Sequence, residues 1–223
     1  MAERQRHFVL VHGAWCWYKV AALLKSAGHK VTALDLAASG IHFKQPLTNF
    51  LMSLPSEERV IVVGHSMGGL GSSVAVERFP EKISVVVFAT AVMPGPDFSY
   101  TAISEEFHST VDSFMDSHYR YDDGPNSPPS SVLFGPNFLA TKFYQLSPPE
   151  QKLKQCLPRR NSVPRVYILC GQDKIINEDL QKWMIQNNPV DEVEVISGSD
   201  HMVMFSKPEE LCLCLLRIAK RYF

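Results

Sequence analysis

The chain has 223 residues, 45% of them apolar and 20% charged, with a formal net charge of −1, and these values suit one globular domain with a substantial core. Near-neutrality removes the electrostatic ground for nucleic acid or anionic lipid as a partner, and no run approaches the ~20 apolar residues that cross a bilayer. Five scattered cysteines without a CxxC pair suggest neither a disulfide framework nor a zinc site, and the charged start MAERQR lacks the apolar core of a secretory signal, so a reducing, cytoplasmic setting is expected.

The first apolar run is FVLVH (8–12), followed by a helix-like stretch over 18–27 that Gly28 ends. KVTALDL (30–36) leads to a second helical stretch over 46–54, and RVIVVG (59–64) to a third over 70–78, stopped near Pro80. ISVVVFA (83–89) closes this half. Continuous rather than alternating apolarity predicts strands covered on both faces, and alternation with helices predicts right-handed crossovers in a doubly wound, mostly parallel sheet. From about Met93 to Pro164 the rhythm breaks into proline-rich loops and short helices with no strong strand. Aromatics there, among them Phe107, Phe114, Phe134, Phe138 and Phe143, either pack on the sheet or wall an apolar cavity. The rhythm resumes with RVYILCG (165–171) and EVEVIS (192–197), whose alternation predicts an edge, and ends in a helix over 208–222. The reading is a single domain over 1–223, with a core of 1–92 and 161–223 and an insertion at 93–160.

Gly64-His65-Ser66-Met67-Gly68 places a serine between two glycines, after a buried strand and before a helix. A turn this sharp strains the serine backbone, and only hydrogens at the flanking glycines leave room for neighbouring chain. A serine hydroxyl needs a base, and the base an orienting acid. His201 lies in SGSDHMVMF after the last strand, and Asp173 in CGQDK after the strand before it, giving the order Ser66, Asp173, His201. His7, His29, His42, His108 and His118 read as surface residues, and His12 and His65 as packing or hydrogen-bonding ones. Asp35 precedes the serine and Asp200 adjoins His201, so both are set aside. Oxyanion donors are expected at the amides of Met67, after the nucleophile, and Ala14, after the first strand.

With these residues placed, HFVLVHGA, AGHKVTALDLAASG, GHSMGGL, FPEKISVVVFATAVMPGP, FGPNFLATKFYQLSP, RVYILCGQDK and SDHMVMFSKPEELC together resemble the plant methylesterase family over nearly the whole chain. The resemblance implies an α/β-hydrolase fold with a small cap, a Ser66–His201–Asp173 triad, no metal or cofactor, and hydrolysis of small methyl esters such as those of salicylate, jasmonate or indole-3-acetate. The implied partner is the ester or its acid product, and a homodimer is compatible with it. Gly13, Phe114, Leu133, Phe134 and Met202 are candidate pocket residues. Related hydroxynitrile lyases carry threonine, glutamate and lysine where Gly13, His65 and Met202 stand, which favours the esterase. The chain is shorter than the family pattern at three places: between HGA and WCWYKV, between AASGIHFKQ and PLTNFLMSL, and between SPPEQKLKQCL and SVPRVYILC. The first lies beside Ala14, so a weakly active or purely ligand-binding homologue is the alternative.

Overall fold

The computed structural model describes residues 4–36, 45–95, 98–111, 113–122, 124, 131–143, 145–146 and 163–223. In chain order these form β1 (His7–His12), a 3-10 turn (Ala14–Trp17), α1 (Tyr18–Ser26), β2 (Lys30–Asp35), α2 (Gln45–Ser53), β3 (Val60–Ser66), α3 (Gly68–Arg78) and β4 (Ile83–Ala91). There follow α4 (Tyr100–Thr110), β5 (His118–Arg120), β6 (Ser131–Leu133), a single turn α5 (Pro136–Phe138) and a π-type turn (Leu139–Phe143). The chain then returns to the main sheet with β7 (Arg165–Cys170), α6 (Glu178–Asn187), β8 (Glu192–Ile196), α7 (Val203–Ser206) and α8 (Pro208–Tyr222).

Six strands form one parallel sheet in the order β2-β1-β3-β4-β7-β8. The sequence reason is the unbroken apolar run: every residue of β1, β3 and β4 is buried, which is possible only where helices cover both faces. β2 departs from that expectation, with exposed ends and a half-buried middle, because among the described residues it holds an edge and has β1 alone as its sheet neighbour. β8 takes the other edge. Its valines face out (Val193 is 42% exposed, Val195 57%), while Glu194 pairs with Arg217 of α8 at 2.8 Å and Glu192 with Arg221.

The segment after β4 holds more order than its prolines suggest. The sequence predicts no strong strand there, and β5 and β6 pair antiparallel in a three-residue ladder too short to leave a periodic signal. α6 was likewise not anticipated, although Asn177 caps it by accepting from the Leu180 amide at 2.9 Å and Glu178 and Asp179 fill its first turn. The expected boundary between insertion and core, at 160/161, lies outside the described residues.

Two of the histidines expected on the surface are buried. His7 bridges Glu58 (2.6 Å) and Thr32 (2.9 Å), and His29 accepts from the Arg6 amide at 3.2 Å beside Phe8. His108 and His118 are exposed, and His42 lies outside the described residues. No helix among the described residues is long and apolar enough to cross a membrane.

Candidate active site

β3 runs through Ser66 and α3 starts at Gly68, two residues earlier than periodicity predicts, so the whole reversal falls on Ser66 and Met67. Ser66 has φ 50°, a left-handed conformation that ordinary residues avoid. The surroundings explain the glycines. A Cβ on Gly68 would sit 2.2 Å from the Val11 carbonyl oxygen, one on Gly64 2.5 Å from Ser72 Oγ, and one on Gly69 2.2 Å from the Val92 carbonyl oxygen. The Val92 amide donates to the Ser66 carbonyl at 3.0 Å and fixes the bend against the end of β4.

The structure brings Ser66, His201 and Asp173 into one buried line at the C-terminal edge of the sheet. His201 Nε2 is 3.0 Å from Ser66 Oγ, and His201 Nδ1 is 2.7 Å from Asp173 Oδ2. Asp173 is more heavily engaged than the sequence suggests. Its Oδ1 accepts the Ile175 and Ile176 amides at 2.7 and 3.0 Å, and its Oδ2 also accepts Thr90 Oγ1 at 2.5 Å. Thr90 has φ 37°, rare for a β-branched residue, and this strain at the end of β4 goes with the placement of its hydroxyl on the carboxylate. Asp200, set aside above, braces the loop instead, accepting the Met202 amide at 3.0 Å and the Leu146 amide at 2.9 Å.

Behind this line lie two further histidines. His65 Nε2 donates to the His201 carbonyl at 2.6 Å, tying the residue before the serine to the backbone of the imidazole that faces it. That bond leaves His65 Nδ1 as an acceptor, and neither it nor His12 Nε2 has a hydrogen-bond partner among the described residues. The rings of His12 and His65 are 4.7 Å apart, and those of His65 and His201 4.8 Å. Burial, and then repulsion from His201, holds His12 down at about 3, and burial, with repulsion from His12 and His201, holds His65 well below the ordinary 6.5. Both are therefore neutral in the folded chain near neutrality.

An imidazole whose folded pKa is depressed contributes stability that is complete above the unfolded pKa and lost as pH falls toward the folded one. For His12 that window runs from 6.5 down to about 3, with a slope of about 1.4 kcal/mol per pH unit for each such group. Urea midpoints measured from pH 7 to pH 4 are expected to fall steadily; a midpoint that stays level between pH 7 and pH 5 would show that these rings are hydrated.

The expected oxyanion donors are placed differently from one another. Met67 caps the N-terminus of α3, where the helix dipole favours negative charge. The Ala14 amide instead donates to Asp35 Oδ1 at 2.7 Å. Gly13 lies beneath the Trp15 indole, whose Nε1 would be 2.7 Å from a Cβ there, and Trp15 stacks on Phe205.

Among the pocket candidates, Phe114 and Phe134 join an aromatic row that reaches the site. Phe114 stacks on Phe138 (5.6 Å), Phe138 on Phe134 (5.2 Å), Phe134 meets Phe143 (5.1 Å), and Phe143 stands edge-on to His201 (4.9 Å). Sequence reasoning did not connect Thr90 to the site, and it named Phe143 among the aromatics that pack on the sheet or wall a cavity without placing it against His201. Met202 is fully buried beside His201, whereas Leu133 is 70% exposed on β6 and is not part of that row.

The α/β-hydrolase family profile matches residues 8–212, and the chain belongs to that family. It is 49% identical to methyl jasmonate esterase 1 of Vitis vinifera over 260 aligned positions that cover 100% of both chains. It is 40% identical to salicylic acid-binding protein 2 of Nicotiana tabacum, covering 97% of this chain and 98% of that one. Among solved structures, tomato methylketone synthase I complexed with 2-tridecanone superposes with a TM-score of 0.87 at 42% identity, covering 99% of this chain and 100% of that one. Within the family, then, the chain stands among plant methylesterases as a serine ester hydrolase. Aligning 260 positions with all 223 residues requires gaps opposite this chain, so the grape protein carries internal segments that it lacks. Of the three expected sites of shortening, the one between 157 and 162 lies outside the described residues, the one between 45 and 46 falls at the start of α2, and the one after HGA adjoins the turn at Ala14.

Proposed function

We propose that the chain hydrolyses small, apolar methyl esters to an acid and methanol, with Ser66 as nucleophile, His201 as general base and acid, and Asp173 orienting His201. The observation that carries this reading is the unbroken line from Ser66 Oγ through His201 to Asp173, at 3.0 and 2.7 Å. As Ser66 Oγ attacks the ester carbonyl, its proton passes to His201 Nε2 and the carbonyl electron pair becomes an oxyanion facing the Met67 amide. His201 then gives the proton to the departing methoxide, and a water activated by the same nitrogen releases the acid from Ser66. Asp173, fixed by two backbone amides and Thr90, holds the tautomer with Nε2 bare and stabilises the imidazolium.

The aromatic row that ends at Phe143 supports an apolar or ring-bearing acyl group, with the segment 93–160 acting as the cap above it. The relatives named for methyl jasmonate and salicylic acid support the same class. The test is a panel of methyl salicylate, methyl jasmonate and methyl indole-3-acetate, assayed for acid and methanol, beside titration with diethyl 4-nitrophenyl phosphate. Hydrolysis of at least one ester, with one nitrophenolate released per chain, is expected. Cyanide release from mandelonitrile with no ester turnover would replace this reading with the lyase one.

A further inference from the structure

The contact between Ala14 and Asp35 bears directly on how the oxyanion is received. β2 and β3 flank β1 on opposite sides, and Asp35 is in register with His12 at the last step of the β1–β2 ladder. The Leu36 amide, donating to the His12 carbonyl at 2.6 Å, continues that pairing to the edge of the loop. Ser66 ends β3, on the other side of β1. An amide has one hydrogen. While Ala14 donates to Asp35 Oδ1 at 2.7 Å, that hydrogen is committed toward β2 and not toward Ser66. The turn behind it is compact: the Cys16 amide (3.0 Å) and thiol (2.9 Å) both donate to the Gly13 carbonyl, so Ala14 is the first amide of a tight 3-10 turn whose cap is supplied by another strand.

We propose that Asp35 is a positioning residue that withholds the second oxyanion donor: the resting site has the Met67 amide alone, and the substrate oxygen gains the Ala14 amide only by taking it from the carboxylate. This rests on Ser66 being the nucleophile. Asp35 is exposed and its contact lies at the surface, so the carboxylate can turn to water when the amide leaves it. A second effect works in the same direction, because an anionic carboxylate beside the donor opposes negative charge developing on the substrate oxygen. A single oxyanion donor changes turnover by about 10²–10³-fold in an assembled site, which sets the scale of what Asp35 holds back.

The test uses Asp35→Ala and Asp35→Asn in the full chain, with 1,1,1-trifluoro-4-phenylbutan-2-one as the probe and 4-phenylbutan-2-one as its control. The fluorinated ketone is attacked by Ser66: the Oγ–C bond forms, the Oγ proton goes to His201, and the carbonyl pair becomes a stable oxyanion. The plain ketone binds without that step. Asp35→Ala is expected to tighten the fluorinated ketone at least 10-fold, leave the plain ketone within 2-fold, and raise kcat for methyl esters with little change in KM. Asp35→Asn keeps an acceptor for the turn while removing the charge, so it gives an intermediate gain and a folded alternative should the alanine variant not fold. If the unmodified chain binds the fluorinated ketone through Ser66 but neither variant binds it more tightly, Asp35 merely braces the turn and the proposal fails while the nucleophile stands. If Ser66→Ala binds both ketones as the unmodified chain does, the assignment of the nucleophile fails, and this proposal with it.

Discussion

Replacing Ser66 with alanine is expected to lower methyl ester turnover about 10⁶-fold, to the residual level that binding and oxyanion contacts sustain alone. The size of the effect follows from the lack of a substitute among the described residues. The Cys16 thiol donates to the Gly13 carbonyl, and burial pushes its pKa up, so it does not supply a thiolate. His65, the other imidazole beside His201, is committed to the His201 carbonyl. Alanine also suits the position structurally: it is smaller than serine and carries the same Cβ into the φ 50° conformation already present. The variant should therefore fold, with an unchanged circular dichroism spectrum and a Tm near that of the parent. Undiminished hydrolysis by a folded Ser66→Ala chain would refute the nucleophile assignment.

What the sequence made legible here is what local patterns encode. The glycines around Ser66 mark a turn because a Cβ there meets the Val11 oxygen of β1, the Val92 oxygen just past β4 or the Ser72 hydroxyl of α3, and that steric demand is visible as composition. Asp173 and His201 could be placed because each follows a strand whose neighbours in the sheet are implied by the alternating rhythm. The features that escaped depend on contacts across the sheet. Thr90 reaches Asp173 from β4 across a separation of 83 residues, in a run that reads as the tail of a buried strand. Asp35 looked irrelevant because it precedes the serine, yet the β1–β2 register sets it beside the loop that follows β1. His7 and His29 read as surface residues, but both are buried and find half-buried partners, His7 with Glu58 and Thr32 and His29 with Arg6.

Asparagine at Asp173 separates orientation from folding. In the native chain Oδ1 accepts two backbone amides, at 2.7 and 3.0 Å, and Oδ2 accepts both His201 Nδ1–H and the Thr90 hydroxyl. An asparagine side chain can keep its carbonyl oxygen on the two amides, which do not change their direction, and must then turn its NH₂ toward His201 and Thr90. The threonine hydroxyl can rotate to accept. The imidazole can accept only by moving its proton from Nδ1 to Nε2, and an Nε2 that already carries a proton cannot take the one on Ser66 Oγ. Asp173→Asn is therefore expected to lower kcat about 10⁴-fold while the chain stays folded. Nitrogen NMR of His201 should show the Nε2–H tautomer. Asp173→Ala is expected to behave differently, because it strips the acceptor from the Ile175 and Ile176 amides, Thr90 and His201 at once. Each buried donor left unpaired costs about 1–3 kcal/mol, so this variant should lose stability as well as turnover. Equal thermal stability of the two variants would mean that the carboxylate does not hold that loop, and full activity in the asparagine variant would show that Asp173 does not set the tautomer of His201.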